Sequence, residues 1–137
     1  MTEQLPKKER INSKKQIDRL FRGGAAKAMS QFPLRMVYMV DEVASDSREP
    51  LAQMMVSVPK RFCKHAVDRN RVKRLVREAY RRNKAVLVDS IEAGTQRRQV
   101  SVCFIWTDSK LRSYEDVEAK TANLLQRLAE KLGNEGE

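Results

Sequence analysis

Apolar positions recur along this chain with two periods, and the elements follow from them. Ile17, Leu20 and Phe21 fall at i, i+3 and i+4, which predicts a short amphipathic helix from about Lys14 to Arg22, with Ser13 as its N-cap and Gly23-Gly24 at its end. Phe32 to Val40 (FPLRMVYMV) reads as a strand with Phe32, Leu34, Met36, Tyr38 and Val40 on one face and Pro33 near its start. Ala52 to Val58 is a second strand, with Ala52, Met54, Val56 and Val58 on one face and Pro59 marking its end. The loop between them holds Asp41, Glu42, Asp46 and Glu49, and its moderate length makes an antiparallel hairpin the simplest pairing. Gln99 to Trp106 (QVSVCFIW) is apolar on both faces in its later half, which predicts a central strand.

Two longer helices complete the pattern. From Ala66 to about Lys84 there is no Gly or Pro, and Val72, Leu75, Val76 and Ala79 form an apolar stripe, with Asp68 as N-cap or first-turn acid. Ala85 to Ile91 either continues this helix or forms another turn before Gly94. Ser113 reads as an N-cap with Asp116 at the capping-box position, followed by Val117, Thr121, Leu124, Leu125, Leu128 and Leu132 on one face and Gly133 as the stop. The order helix, strands, helix, strand, helix predicts one α/β domain over residues 1–137, an α+β two-layer sandwich of helices on a small mixed sheet. Residues 1–10, polar and interrupted by Pro6, are expected to form a loose arm, and 133–137 a frayed tail.

Charge changes this picture at one place. Between Lys60 and Lys84, KRFCKHAVDRNRVKRLVREAYRRNK, eleven Lys or Arg stand against Asp68 and Glu78, a net +9 in a chain of net +10. At roughly 100° per residue, Asn70, Lys73, Arg74, Arg77, Arg81 and Lys84 gather within an arc of about 100° opposite the apolar stripe. A soluble face would mix both signs; this one is arranged to meet phosphates, for which the guanidinium fork is suited. Asn70 could read a base edge or a 2′-hydroxyl. Residues 1–27, with eight basic and three acidic side chains, are a second positive region, open to reading as a solvated face or as RNA contact.

The pI near 9.9 points to a polyanionic partner, and aromatics at 6% argue against a large stacking platform. Cys63 and Cys103 belong to no CxxC pair and cannot complete a zinc set with the single histidine, His65, so they read as free thiols of a reducing cytoplasm. No signal-like apolar region opens the chain and no apolar run approaches membrane-spanning length, so no membrane partner is expected. A two-metal protein nuclease needs converging carboxylates. Asp68 and Glu78, the only acids in the basic stretch, read as a cap and an i,i+4 partner of Arg74 or Arg82, so no catalytic residue and no protein-held metal are assigned.

Arg69-Asn70-Arg71-Val72-Lys73-Arg74-Leu75-Val76-Arg77-Glu78 matches every fixed position of RNRxKRxxRE and so resembles the bacterial ribonuclease P protein family. Weaker likeness extends to Arg10–Gly23, where Phe21 takes the second aromatic place and Ile17 stands where an aromatic is common. It also covers Gln31-Phe32, Val56–Arg61 with an unusual Pro59, and Ser113-Tyr114-Glu115. Departures are Met29-Ser30, Arg35 near a family tyrosine, and Trp106-Thr107. The resemblance implies an additional strand, for which Lys27 to Ser30 is the candidate, and a left-handed βαβ crossover carrying the basic helix.

The resemblance further implies a ribonucleoprotein endoribonuclease whose RNA subunit holds the catalytic magnesium and removes the 5′ leader of precursor tRNA. The protein would bind that RNA through Lys60, Arg61, Arg69, Asn70, Arg71, Lys73, Arg74, Arg77 and Arg81. It would bind the leader in a cleft at Ile17, Phe21, Arg35 and Tyr38, with Phe21 equally suited to core packing. The alternative is a general RNA-binding protein such as a ribosomal protein, which has no need of the full motif. A DNA-binding reading would require a helix-turn-helix or dimer signal that the sequence lacks.

Overall fold

The strand that is apolar on both faces takes the centre of the sheet. The computed structural model describes residues 5–22, 26–44, 46, 50–94 and 97–135. A 3-10 turn (Lys7–Glu9) precedes α1 (Lys14–Arg22), β1 (Lys27–Gln31), β2 (Leu34–Glu42) and β3 (Ala52–Ser57). Then follow α2 (Ala66–Asn83), α3 (Ala85–Glu92), β4 (Arg98–Trp106) and α4 (Tyr114–Glu135). The sheet order is β1-β2-β4-β3, with β4 antiparallel to β2 and parallel to β3. The segment Lys27–Gln31 is indeed a strand, paired antiparallel to β2.

The expected hairpin between the two middle strands does not form. β2 and β3 are consecutive in sequence, yet β4 lies between them and pairs with both. A strand with apolar side chains on both faces must be flanked and covered on all sides, which places it inside rather than at an edge. The chain returns from β3 to its parallel neighbour through α2 and α3, a connection long enough for parallel pairing. Phe32 is also not part of a strand: it sits in the β1–β2 turn, 59% exposed.

The pleat sends alternate residues to two cores. Leu34, Met36, Tyr38, Ala52, Met54, Val100, Val102, Phe104 and Trp106 pack under α2, α3 and α4 against Val72, Val76, Tyr80, Leu87, Leu124 and Leu128. On the reverse face Val37, Met39 and Cys103 form a smaller cluster with Ile11 and Leu20, and Ile17 packs against it. Burial pushes the Cys103 thiol up to about 12, so it stays protonated at neutral pH. Cys63 and Cys103 are both buried and free.

The chain ends differ from expectation. Residues 5–10 are docked rather than loose: Leu5 is buried, the Arg10 backbone bridges Met54 on the outer edge of β3, and Ile11 N–H donates to the Met54 carbonyl at 2.8 Å. An edge strand with unpaired backbone groups and an apolar niche for Leu5 hold this segment. Gly23-Gly24, read as a helix stop, lie outside the described residues, whereas the Ser13 cap is present, accepting from Gln16 N–H at 3.4 Å. The Ser113 cap accepts from Asp116 N–H at 3.2 Å. Helix α4 runs through Gly133 to Glu135, because Leu132 is fully buried and tertiary packing overrides the glycine.

A Cβ at Gly133 would meet nothing within 4 Å. Gly133→Ala is therefore expected to stabilise the protein by up to about 1 kcal/mol through helix propensity, read as a raised urea midpoint with an unchanged slope.

Candidate nucleic-acid interface

Helix α2 divides as its sequence pattern requires. Val72, Val76, Ala79 and Tyr80 are buried, and Leu75 packs at the margin of the same core. Asn70, Arg71 and Arg74 are exposed, Lys73, Arg77 and Arg81 are half-buried, and Lys60 and Arg61 stand exposed in the turn before the helix. Tyr80 falls only about 20° from Lys73 around the helix, so periodicity alone leaves it at the border of the cationic arc. It is buried in the main core, its ring edge-on to Phe104 at 6.3 Å, and burial and then Glu9 raise the pKa of its hydroxyl.

Several cations of the arc have structural work within the protein. Arg69 folds back on the loop before α2, its Nη1 donating to the carbonyls of Lys64 at 2.7 Å and Cys63 at 3.1 Å. Arg81 donates to Glu78 at 2.6 and 3.0 Å, and Arg82 donates to the same carboxylate at 3.1 Å. Lys84 pairs with Glu9, tying the end of α2 to the 3-10 turn. Asp68 lies in the first turn, and His65 precedes the helix without a side-chain cap. The surface free of such pairing is formed by Asn70, Arg71, Lys73, Arg74 and Arg77, with Lys60 and Arg61 at its start; Arg61 also lies over the Phe62 ring at 5.0 Å. Sequence reasoning missed the ion pair to Glu9, because the contact spans 75 positions.

The second candidate surface lies on the opposite face of the sheet, under α1. Gln16 Nε2 donates to Gln53 Oε1 and to the buried Ser101 Oγ, both at 2.8 Å, and Arg19 pairs with Asp41 at 2.6 Å. These contacts seat α1 over one end of the sheet. Beyond its reach, the register aligns Ser30, Arg35, Ile105 and Ser57 in one row across all four strands. Ser30 and Arg35 are exposed, and Ile105 and Ser57 are partly covered. Ile17 is half-buried and Phe21 is 49% exposed. Ile17 and Phe21 of α1 and Arg35 of β2 thus lie on the same side of the sheet.

Tyr38 is not on that side of the sheet. It is three residues from Arg35, so strand alternation turns it to the other face, where it is 3% exposed and lies beneath Lys131. Among the described residues no group of three His, Cys, Asp or Glu side chains could hold a metal ion, and no helix is long and apolar enough to cross a membrane.

Glu78 is the acid that organises the distal half of the arc. Hydrogen bonding from Arg81 holds its carboxyl below the ordinary value of 4.5. A carboxyl depressed on folding contributes stability above its unfolded pKa and loses it as pH falls through the folded value. Glu78→Gln is expected to cost about 0.2–1 kcal/mol at neutral pH, as for a partly exposed pair. In urea melts the difference from wild type should close as the pH is lowered below the glutamate range.

Comparison with known proteins identifies the family. A family model described as Ribonuclease P matches residues 5–129. The ribonuclease P protein component of Porphyromonas gingivalis (strain ATCC 33277) is 39% identical over 127 residues, covering 91% of this chain and 86% of that protein. That of Chlorobaculum tepidum is 31% identical over 132 residues, covering 93% and 84%. The fold resembles the RNase P protein of Thermotoga maritima, with a TM-score of 0.63 at 22% identity over 87% of this chain and 96% of that one. It also resembles the Staphylococcus aureus RNase P protein, with a TM-score of 0.59 at 16% identity over 88% and 94%. The chain belongs to the ribonuclease P protein component family and is a subunit of ribonuclease P.

Proposed function

We propose that this subunit binds the ribonuclease P RNA through α2 and holds the 5′ leader of precursor tRNA in the channel under α1, in the cytoplasm. The RNA supplies the chemistry of leader removal. The observation that carries the reading is the exposed stripe Asn70, Arg71 and Arg74 on a helix whose opposite face is buried, in a chain of this family. Arg and Lys there contact phosphates and position the protein, which sets assembly rather than sequence choice. Magnesium, in this reading, is held mainly by the RNA. The two acids nearest the stripe's distal end, Glu78 and Glu9, are occupied by Arg81, Arg82 and Lys84, which suits a cation-presenting role. A ribosomal-type RNA-binding role is not favoured, given the family assignment.

Reconstitution tests this division. Protein freed of RNA by ribonuclease treatment should not cleave precursor tRNA at any magnesium concentration, and adding the ribonuclease P RNA should give cleavage at the mature 5′ end. Cleavage by the ribonuclease-treated protein alone would refute RNA-held catalysis. Arg74→Ala should weaken assembly and lower the salt slope of binding by about one.

In the leader channel, Arg35 stands where the family resemblance places a tyrosine, so binding relies on charge more than on stacking. A guanidinium can hold a phosphate or stack on a base, and the Arg35 side chain makes no ion pair or hydrogen bond among the described residues. Arg35→Ala is expected to assemble with the RNA normally but lose part of the preference for precursor over mature tRNA. Affinities measured for both at one fixed salt concentration check this; an untouched preference would remove Arg35 from the channel.

A further inference from the structure

We propose that Arg10 joins Arg74 and Arg77 of α2 in one phosphate-binding site, so that the surface taking structured RNA continues from the helix onto the segment before α1. This rests on the reading of α2 as the RNA-facing helix. Arg10 lies outside the RNRxKRxxRE run.

The N-terminal segment is held along one flank of α2 by independent contacts. Leu5 is buried in the main core with Tyr80, Glu9 pairs with Lys84, and Arg10 is bridged to Met54 of β3. Gln53 Nε2 donates to the Lys8 carbonyl at 2.8 Å, fixing the segment to the sheet a second time. Arg77 and Lys84 are seven residues apart, two turns along one stripe of the helix, so the segment that meets Lys84 runs beside Arg77. The electrostatics agree: the Arg77 guanidinium is disfavoured by burial, then by Arg10, then by Arg74.

Arg77 thus lies within reach of two like charges, one from the N-terminal segment and one from its own helix. Arg10 Nη2 donates to the Leu5 carbonyl at 3.0 Å, while its Nε is buried with no partner. Neither Arg10, Arg74 nor Arg77 forms an ion pair among the described residues, because Glu9 and Glu78 are taken by Lys84, Arg81 and Arg82. Like charges held close raise the energy of the empty site, and an oxyanion that accepts from several guanidinium forks offsets it. The chemistry recognised is a tetrahedral oxyanion, supplied by an RNA phosphodiester or by a free inorganic anion.

The test uses full-length Arg10→Gln, Arg10→Lys and Arg77→Ala, the Arg10→Gln/Arg77→Ala double variant, and Lys110→Gln as a control for net charge. One arm measures the shift in melting temperature caused by sodium sulfate against sodium chloride at equal ionic strength. The other measures affinity for the ribonuclease P RNA across salt concentrations. Arg10→Gln should lose part of the sulfate shift and lower the RNA salt slope by about one. Arg10→Lys should keep the slope but bind severalfold more weakly, and the losses in the double variant should be less than multiplicative. Lys110→Gln should leave the sulfate shift intact. Wild-type sulfate shifts and salt slopes in both Arg10 variants, with Arg77→Ala impaired, would overturn the shared site. If the sulfate losses appear but no variant affects the ribonuclease P RNA, the anion site stands and the RNA-facing reading of α2 falls.

Discussion

Strand β4 is covered on both faces, and that requirement shapes the rest of the molecule. Val100, Val102, Phe104 and Trp106 need a helical layer on one side, while on the other Ser101 accepts from Gln16 of α1 and Cys103 packs with Ile11 and Leu20. Because β4 must be interior, β2 and β3 are pushed to either side of it, and the chain can reach it only through a crossover. That crossover is α2 with α3. The charged helix is thus anchored through its apolar stripe to the same strand whose reverse face lies under α1.

The second constraint is self-repulsion. A chain of net +10, with +9 of it between Lys60 and Lys84, works against compaction. The protein spends its nearby acids at the distal end of α2, where Glu78 receives Arg81 and Arg82 and Glu9 receives Lys84. Asp68 lies in the first turn, and the cations of the middle turns form no ion pair among the described residues. Any polyanion that binds the folded form alone therefore stabilises it by mass action. The same distribution separates residues that are equal in a charge count: Arg69 closes the loop before the helix, whereas Arg71 and Arg74 face outward.

How far the sequence disclosed this depends on the range of the interaction. Helix α2 was legible because its apolar stripe, cationic arc and motif are all local, and the caps at Ser13 and Ser113 are signals three residues long. Placing Tyr38 on the other face from Arg35 was also within reach, since alternation along one strand decides it. Strand order was not, because pairing with β4 is settled by burial across some sixty positions. Nor could a polar, Pro-interrupted N-terminus announce that Leu5 would find a niche beside α2. Tyr80 shows the same limit, for it is buried against Phe104 of β4, distant in sequence.

The two proposed surfaces lie on opposite faces of one sheet, and this bears on how they would work together. Their relative placement is set by β-sheet register, with Ser30, Arg35, Ile105 and Ser57 in a single row, rather than by a flexible joint. A protein fixed to a large RNA through α2 would then present its channel at a set distance and angle from that RNA. Cations crowded on α2 favour strong, sequence-indifferent anchoring. The proposed channel would offer Arg35 and one half-exposed aromatic, Phe21, and so contribute less to total affinity than the cations of α2. Small differential binding is sufficient for discrimination, because only contacts present with precursor and absent with mature product count toward preference. In the proposed reading a change at Arg35 alters discrimination without touching the anchor, since Arg35 and the cations of α2 lie on opposite faces of the sheet.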